Sequence, residues 1–201
     1  MLGTRILEER KSKYNGNLRV VRSWGMGTYI QAGGLTQSGG IVGTIWKPTL
    51  QKLRTKNVEI KTCLILGLGA GTAAKYIRLF WPQAKITGVD VDPVIVDLGR
   101  KYLGLDEVKI DIKIRDAYDF APAYGWDLII VDLYNGDKFP EKFETEKFLR
   151  KLIKNKIVVF NRLYYKGKKE EAEKFGEKLQ KHFSEVEYFR PDANMMFICT
   201  P

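Results

Sequence analysis

The segment Cys63-Leu-Ile-Leu-Gly67-Leu-Gly69-Ala-Gly71-Thr72 constrains the fold of this chain more than any other. A short apolar run ends directly on three alternating glycines, and residues 70–81 then show helical spacing until Pro82 stops it. An apolar run this short, bounded by a turn, suits a strand buried on both faces. Glycine permits positive φ and lets backbone approach a ligand closely. The helix that follows aims its first N–H groups at the same spot. Strand, glycine turn and helix together form the opening unit of an α/β sheet with a ligand site at its rim.

The remaining sequence repeats the alternation. Strands are expected at 62–66, 85–91, 108–114, 126–131 and 156–161, and helices at 70–81, 93–104, 142–153 and 168–183. Pro93 suits the start of the second helix, Asp92 its cap and Gly104 its end. The chain from Val186 to Thr200 reads as a hairpin turning at 191–194. The predicted fold class is therefore α/β, a doubly wound, mostly parallel sheet of the Rossmann-like class I methyltransferase type; the closing hairpin suggests that variant by fold analogy. Upstream, 17–46 alternates β-branched and Gly-rich pieces and predicts a small β-hairpin or meander, with 47–60 as a basic helix or connector. The expected division is a β-element at 1–56 and the Rossmann-like domain at 57–201.

Ligands of an open α/β sheet bind beyond the carboxyl ends of its strands. Asp90 ends the second predicted strand, Asp116 follows the third and Asp132 ends the fourth. Asp90 is placed to accept both ribose hydroxyls of a nucleoside, and Asp116 the exocyclic N–H of an adenine. The glycine spacing discriminates between ligand classes. A dinucleotide fingerprint has Gly or Ala at the third site of Gly-x-Gly-x-x-Gly, where this chain has Thr72. Gly67-x-Gly69-x-Gly71 is instead the spacing used by enzymes of adenosylmethionine. Residues 90–137 hold eleven Asp and Glu against five Lys and Arg. A carboxylate-rimmed pocket suits a permanent sulfonium cation and would repel the phosphates of NAD(P).

LILGLGAGT, ITGVDVDPVIVDLGRKYLGL, IRDAYDF and WDLIIVDLYNGDKFP, taken in order, resemble the core of the spermidine synthase family, a group of polyamine aminopropyltransferases. The upstream AGGLTQS is similar to that family's Asp-Gly-x-x-Gln element. The resemblance covers roughly 17–161. It implies S-adenosylmethionine in its decarboxylated form as co-substrate, and a small-molecule amine as acceptor. Carried over by position, Gln37, Gly67, Gly69, Gly71, Asp90 and Asp116 would contact the nucleoside. Asp132 would be the catalytic acid residue that takes the proton of the attacking amine. Tyr134, Asn135 and Asp137 would line the acceptor pocket.

Two departures from that family stand out. Where it has Asp-Ser-Ser/Thr-Asp, this chain reads Asp132-Leu133-Tyr134-Asn135, and only Asp137 could supply a second carboxylate. Where it has Tyr-His-Glu, this chain reads Trp46-Lys47-Pro48, which predicts repulsion of a polycation by Lys47. Two alternatives stay open: a methyltransferase using S-adenosylmethionine itself on a small molecule or nucleic acid, and a non-catalytic relative that keeps the fold.

Other features limit the remaining possibilities. The net charge is +10, with ten Lys and Arg against three Glu in residues 1–60. That surface could attract nucleic acid, or only keep the chain solvated. There is no apolar run long enough for a membrane span and no signal-peptide core at the N-terminus, so a cytoplasmic protein is expected. Cys63 and Cys199 are the only cysteines, Cys63 in a buried run, and no Cys/His cluster has metal spacing. His182 is expected near a helix end at the surface. Asn161 could face the crevice; Trp24 and Trp46 are expected in a core or interface. The Gly-rich β-element could pair edge to edge into a homodimer.

Overall fold

The computed structural model describes residues 3–120 and 125–201. Five parallel strands form the centre: β5 (Thr62–Leu66), β6 (Lys85–Asp90), β7 (Asp111–Ile114), β8 (Leu128–Val131) and β9 (Ile157–Leu163). β11 (Asn194–Thr200) joins the sheet antiparallel to β9, and β10 (Glu185–Phe189) pairs antiparallel with β11 at the edge, giving the order β10-β11-β9-β8-β5-β6-β7. This is the doubly wound, mostly parallel sheet that the alternation predicts.

The pleat sorts the core onto two faces. Cys63 and Ile65 of β5 and Leu128 and Ile130 of β8 join one apolar cluster, while Leu64, Leu66, Ile129 and Val131 join the other. The first cluster is covered by α2 (Thr72–Phe80) and α3 (Pro93–Leu103) through Ala73, Ala74, Ile77, Ile95 and Leu98. The second is covered by α5 (Glu146–Leu152) and α6 (Lys169–Gln180) through Phe148, Leu149, Phe175 and Leu179. Each buried Ile, Leu and Phe among them is worth about 1.5–3 kcal/mol of transfer free energy. A single-turn helix, α4 (Ala117–Phe120), follows β7.

A second, antiparallel sheet packs β1 (Arg5–Ser12), β2 (Gly16–Ser23), β3 (Gly27–Ala32) and β4 (Leu35–Gly39) in sequence order. Its Leu18, Val20 and Ile30 are buried in the same cluster as Ile65. β1 and β4 are its edge strands. The charged sequence of β1 carries no clear apolar alternation, so it escapes a sequence reading.

Three expectations need correction. The β-element ends at Gly39, and residues 42–46 open a helix, α1 (Val42–Thr55). Gly40, Gly43 and Pro48 read as breakers, but Val42, Ile45, Trp46, Thr49, Leu50 and Leu53 are buried at three- and four-residue steps. That packing prevails over the cost of an interior proline. The helix expected at 142–153 is split: a 3-10 turn at Glu141–Glu144 precedes α5, because Thr145 breaks the run and its hydroxyl accepts from the Phe148 N–H at 3.3 Å. The strand expected from 108 starts at Asp111, after Lys109 adopts φ +56°.

Candidate active site at the carboxyl rim of the sheet

The chain runs outward from β5 through β6 to β7, then returns to place β8 on the other side of β5. That reversal opens a crevice at the carboxyl ends of β5 and β8. A cavity of about 350 Å³ occupies it, lined by the ends of β5, β6 and β8 together with the small sheet and α1. Gly67 lies between the two strand ends. At φ +88°, a Cβ there would stand 2.0 Å from the Asp132 carbonyl oxygen, so only glycine lets the two backbones meet. Gly69 is also on the cavity wall, and its N–H donates to Asp90 Oδ2 at 2.7 Å. Gly71 is not on the wall: its missing Cβ would meet Leu105 Cδ1 at 2.3 Å, so this glycine permits the packing of α2 onto that leucine.

Two carboxylates flank the glycine turn. Asp90 receives a second N–H, from Asp92, at 2.9 Å. Burial pushes its pKa up to about 6, against the backbone donors that lower it and with Asp92 adding to the rise. Asp132 Oδ2 accepts from the Trp46 indole N–H at 3.1 Å, and its Oδ1 from Asn161 Nδ2 at 2.8 Å. Burial pushes Asp132 up to about 6 as well, opposed by those two donors and reinforced by the charge of Asp90. A carboxylate whose ionisation is opposed by burial and by a neighbouring negative charge gains from a cation beside it. Asn161 Oδ1 accepts in turn from Asn194 Nδ2 at 2.8 Å, so a buried amide pair orients Asp132 from behind.

Asp116 lines the cavity beyond β7. Its Oδ1 accepts from the Tyr118 N–H at 2.9 Å, and its Oδ2 binds the Lys142 ammonium. Burial works to raise its pKa, but the Lys142 hydrogen bond and the Tyr118 N–H hold it below the usual carboxylate value. Gln37, Tyr134 and Asn135 are on the wall; Asp137 is not, and pairs with Lys168 at 3.4 Å. The Tyr134 hydroxyl donates to the Asn161 carbonyl at 3.2 Å and accepts from the Leu163 N–H at 2.8 Å. Burial raises its pKa.

Several site residues are absent from the sequence prediction. Trp46 is fully buried, yet its indole holds Asp132 across 86 positions of sequence. Lys47 is exposed and off the wall, so the repulsion expected from it does not arise; the cationic side chain on the wall is Lys142. Trp24 is 79% exposed on the turn after β2, not in the core. Ser38 Oγ accepts from the Ala70 N–H at 2.9 Å and ties β4 to the glycine turn. Tyr14 and Asn15, in the β1–β2 turn, reach the wall. Asn15 and Ser12 both donate to Asp92 Oδ2, while Asp92 Oδ1 caps α3 at Val94. Only the capping role of Asp92 had a local signal.

The model of the spermine/spermidine synthase domain matches residues 50–193, which take in Asp90, Asp116 and Asp132. The chain belongs to the spermine/spermidine synthase family. That is a family of transferases. A probable polyamine aminopropyl transferase of Bifidobacterium longum is 33% identical over 89 residues, 43% of this chain and 20% of that protein. The chain thus matches only about a fifth of the length of that curated relative. A probable spermidine synthase of Corynebacterium glutamicum superposes with a TM-score of 0.80 at 19% identity, over 98% of this chain and 80% of the other. A spermidine synthase solved with the transition-state analogue AdoDATO superposes at 0.76 and 17% identity, over 96% and 72%. These two likenesses speak for the fold. Among the described residues, no group of three His, Cys, Asp or Glu side chains could hold a metal ion, and no helix is long and apolar enough to cross a membrane.

Proposed function

We propose that this family member binds decarboxylated S-adenosylmethionine in the rim cavity and transfers its aminopropyl group to a small-molecule amine. The observation that carries the reading is the pair Asp90 and Asp132, both held near pKa 6 on either side of the glycine turn. Such a pair gains most from a ligand with a fixed positive charge.

In this reading, Asp90 accepts the ribose hydroxyls, its carboxylate already oriented by the Gly69 and Asp92 N–H groups. Gln37 contacts the nucleoside from the small sheet. Asp116, tethered to Lys142, takes the adenine amino group. The amine nitrogen attacks the carbon next to sulfur, the carbon–sulfur bond breaks, and the sulfonium leaves as a neutral thioether. Asp132 accepts the proton released from the new ammonium. The protein's work is alignment of nitrogen, carbon and sulfur, together with proton acceptance. Asp132 is suited to it because the Trp46 and Asn161 donors fix its plane.

The competing co-substrate, S-adenosylmethionine, adds a carboxylate that needs a cation. Among the described residues the Lys or Arg on the cavity wall is Lys142, already bound to Asp116 at the adenine side. That absence of a free cation near Gly67 and Gln37 supports the decarboxylated form. Calorimetry with both sulfonium compounds tests the choice. Binding of the decarboxylated form at least tenfold tighter, with aminopropyl product from an added amine, is expected. Tighter binding of S-adenosylmethionine would make the chain a methyltransferase, and binding of neither would leave a fold without this activity.

A further inference from the structure

Among the described residues Lys142 is the one Lys or Arg on the cavity wall, and the function proposed above gives it no contact with a ligand. Its ammonium is held from two directions. It binds Asp116 Oδ2, and it stands 4.9 Å from the centre of the Phe143 ring and 5.9 Å from that of Tyr118. Phe143 is itself on the wall. The Lys142 and Asp116 side chains are both partly exposed, and an ion pair so open to water adds little to stability. An ammonium carries three donors. Among the described residues Asp116 is its only hydrogen-bond acceptor, which leaves N–H groups beside that carboxylate for a ligand.

Resting on that reading, which puts the adenine amino group at Asp116, we infer that Lys142 is a specificity-determining residue that donates to a ring nitrogen of the base. Adenine has an acceptor nitrogen on each side of its amino group, N1 on one and N7 on the other. A carboxylate with an ammonium beside it offers an acceptor and a donor, the complement of an amino group with a ring nitrogen beside it. The amino N–H reaches Asp116 while the ammonium reaches the adjacent nitrogen, and the ion pair need not open to admit the base. Burial works to raise the Asp116 pKa, and the Lys142 hydrogen bond outweighs it, so the carboxylate stays an acceptor. A base without that nitrogen turns carbon toward a charged donor and forfeits the bond. A lysine that only neutralised Asp116 would be indifferent to the exchange.

The test uses the neutral thioether product, 5′-methylthioadenosine, with its 1-deaza and 7-deaza analogues. Each analogue lacks one ring nitrogen and keeps the amino group and the ribose. All three are titrated by calorimetry into the protein, so that no turnover is required. At least one analogue is expected to bind about tenfold more weakly than the parent, the weight of a hydrogen bond to a charged group, and it identifies the nitrogen that is read. Lys142→Met keeps the length of the stem and removes the donors. It should weaken the parent by the same factor and leave that analogue unchanged, so that their affinity ratio falls to about one. Lys142→Arg, which keeps a charged donor, should restore part of the ratio. Parent and analogues of equal affinity in the unaltered protein overturn the inference. So does a ratio that survives Lys142→Met, which assigns the nitrogen to another donor. Equal weakening of all three ligands in Lys142→Met also overturns it, and reduces Lys142 to a support for Asp116. Each of these leaves the transferase reading intact. Failure of the parent thioether to bind at all is the separate outcome that removes that reading and this inference with it.

Discussion

Burial raises the pKa of Asp90 and Asp132 alike to about 6, but different groups hold the two carboxylates against that rise. Asp90 is held by main chain: the Gly69 and Asp92 N–H groups lie 21 and 2 residues away and belong to the glycine turn and its neighbouring loop. Asp132 is held by side chains from α1 and β9, Trp46 and Asn161, 86 and 29 residues distant. A backbone-held carboxylate depends on the fold as a whole. A side-chain-held one can be retuned by single substitutions.

The largest expected effect breaks the pair at its reactive member. Asp132→Asn should lower transfer by about 10²–10⁴-fold, the usual weight of a general base; calorimetric affinity for the cationic co-substrate should fall as well, while affinity for its neutral thioether product changes little. Normal turnover would remove its catalytic role. Next comes the backbone that joins the two. Gly67→Ala must fit a Cβ 2.0 Å from the Asp132 carbonyl at φ +88°. It should cost roughly 2–4 kcal/mol of stability from strain and overlap, read as a fall in thermal midpoint. Asp90→Ala should weaken the co-substrate by about 1.5–3 kcal/mol through lost charge-assisted hydrogen bonds, in an equilibrium titration; unchanged affinity would move the ribose elsewhere.

The smallest effect sharpens the contrast. Asn161→Leu removes the side-chain donor that lowers the Asp132 pKa, so the acid limb of the kcat–pH curve should move to higher pH. The loss at neutral pH should stay within about tenfold, the net worth of one hydrogen bond. No change in that limb would mean that Asn161 does not tune Asp132.

The same division explains what could be read from the chain. The parallel sheet, the glycine turn and the carboxyl-rim aspartates follow local rules: an apolar run, a turn that needs glycine, a cap. Gly71 was misread because a ligand-facing glycine and one that clears Leu105 have the same sequence signature. Trp46 was hidden because Gly40, Gly43 and Pro48 mask α1 as a broken segment, and the helix forms only against the core it covers. Lys142 gave no signal because its partner, Asp116, is 26 residues away on another loop. The vacant second carboxylate was legible at Asn135; the escape of Asp137 to Lys168 was not.

A pH series of calorimetric titrations, comparing decarboxylated S-adenosylmethionine with its neutral thioether product, tests the central claim most directly. Asp90 and Asp132 must ionise to attract a cation, and both are raised to about 6. Sulfonium affinity should therefore fall as pH drops through about 6, with protons released on binding near that pH, while thioether affinity falls much less. Equal pH dependence for the two ligands would contradict a cleft in which two half-buried carboxylates recognise a positively charged co-substrate.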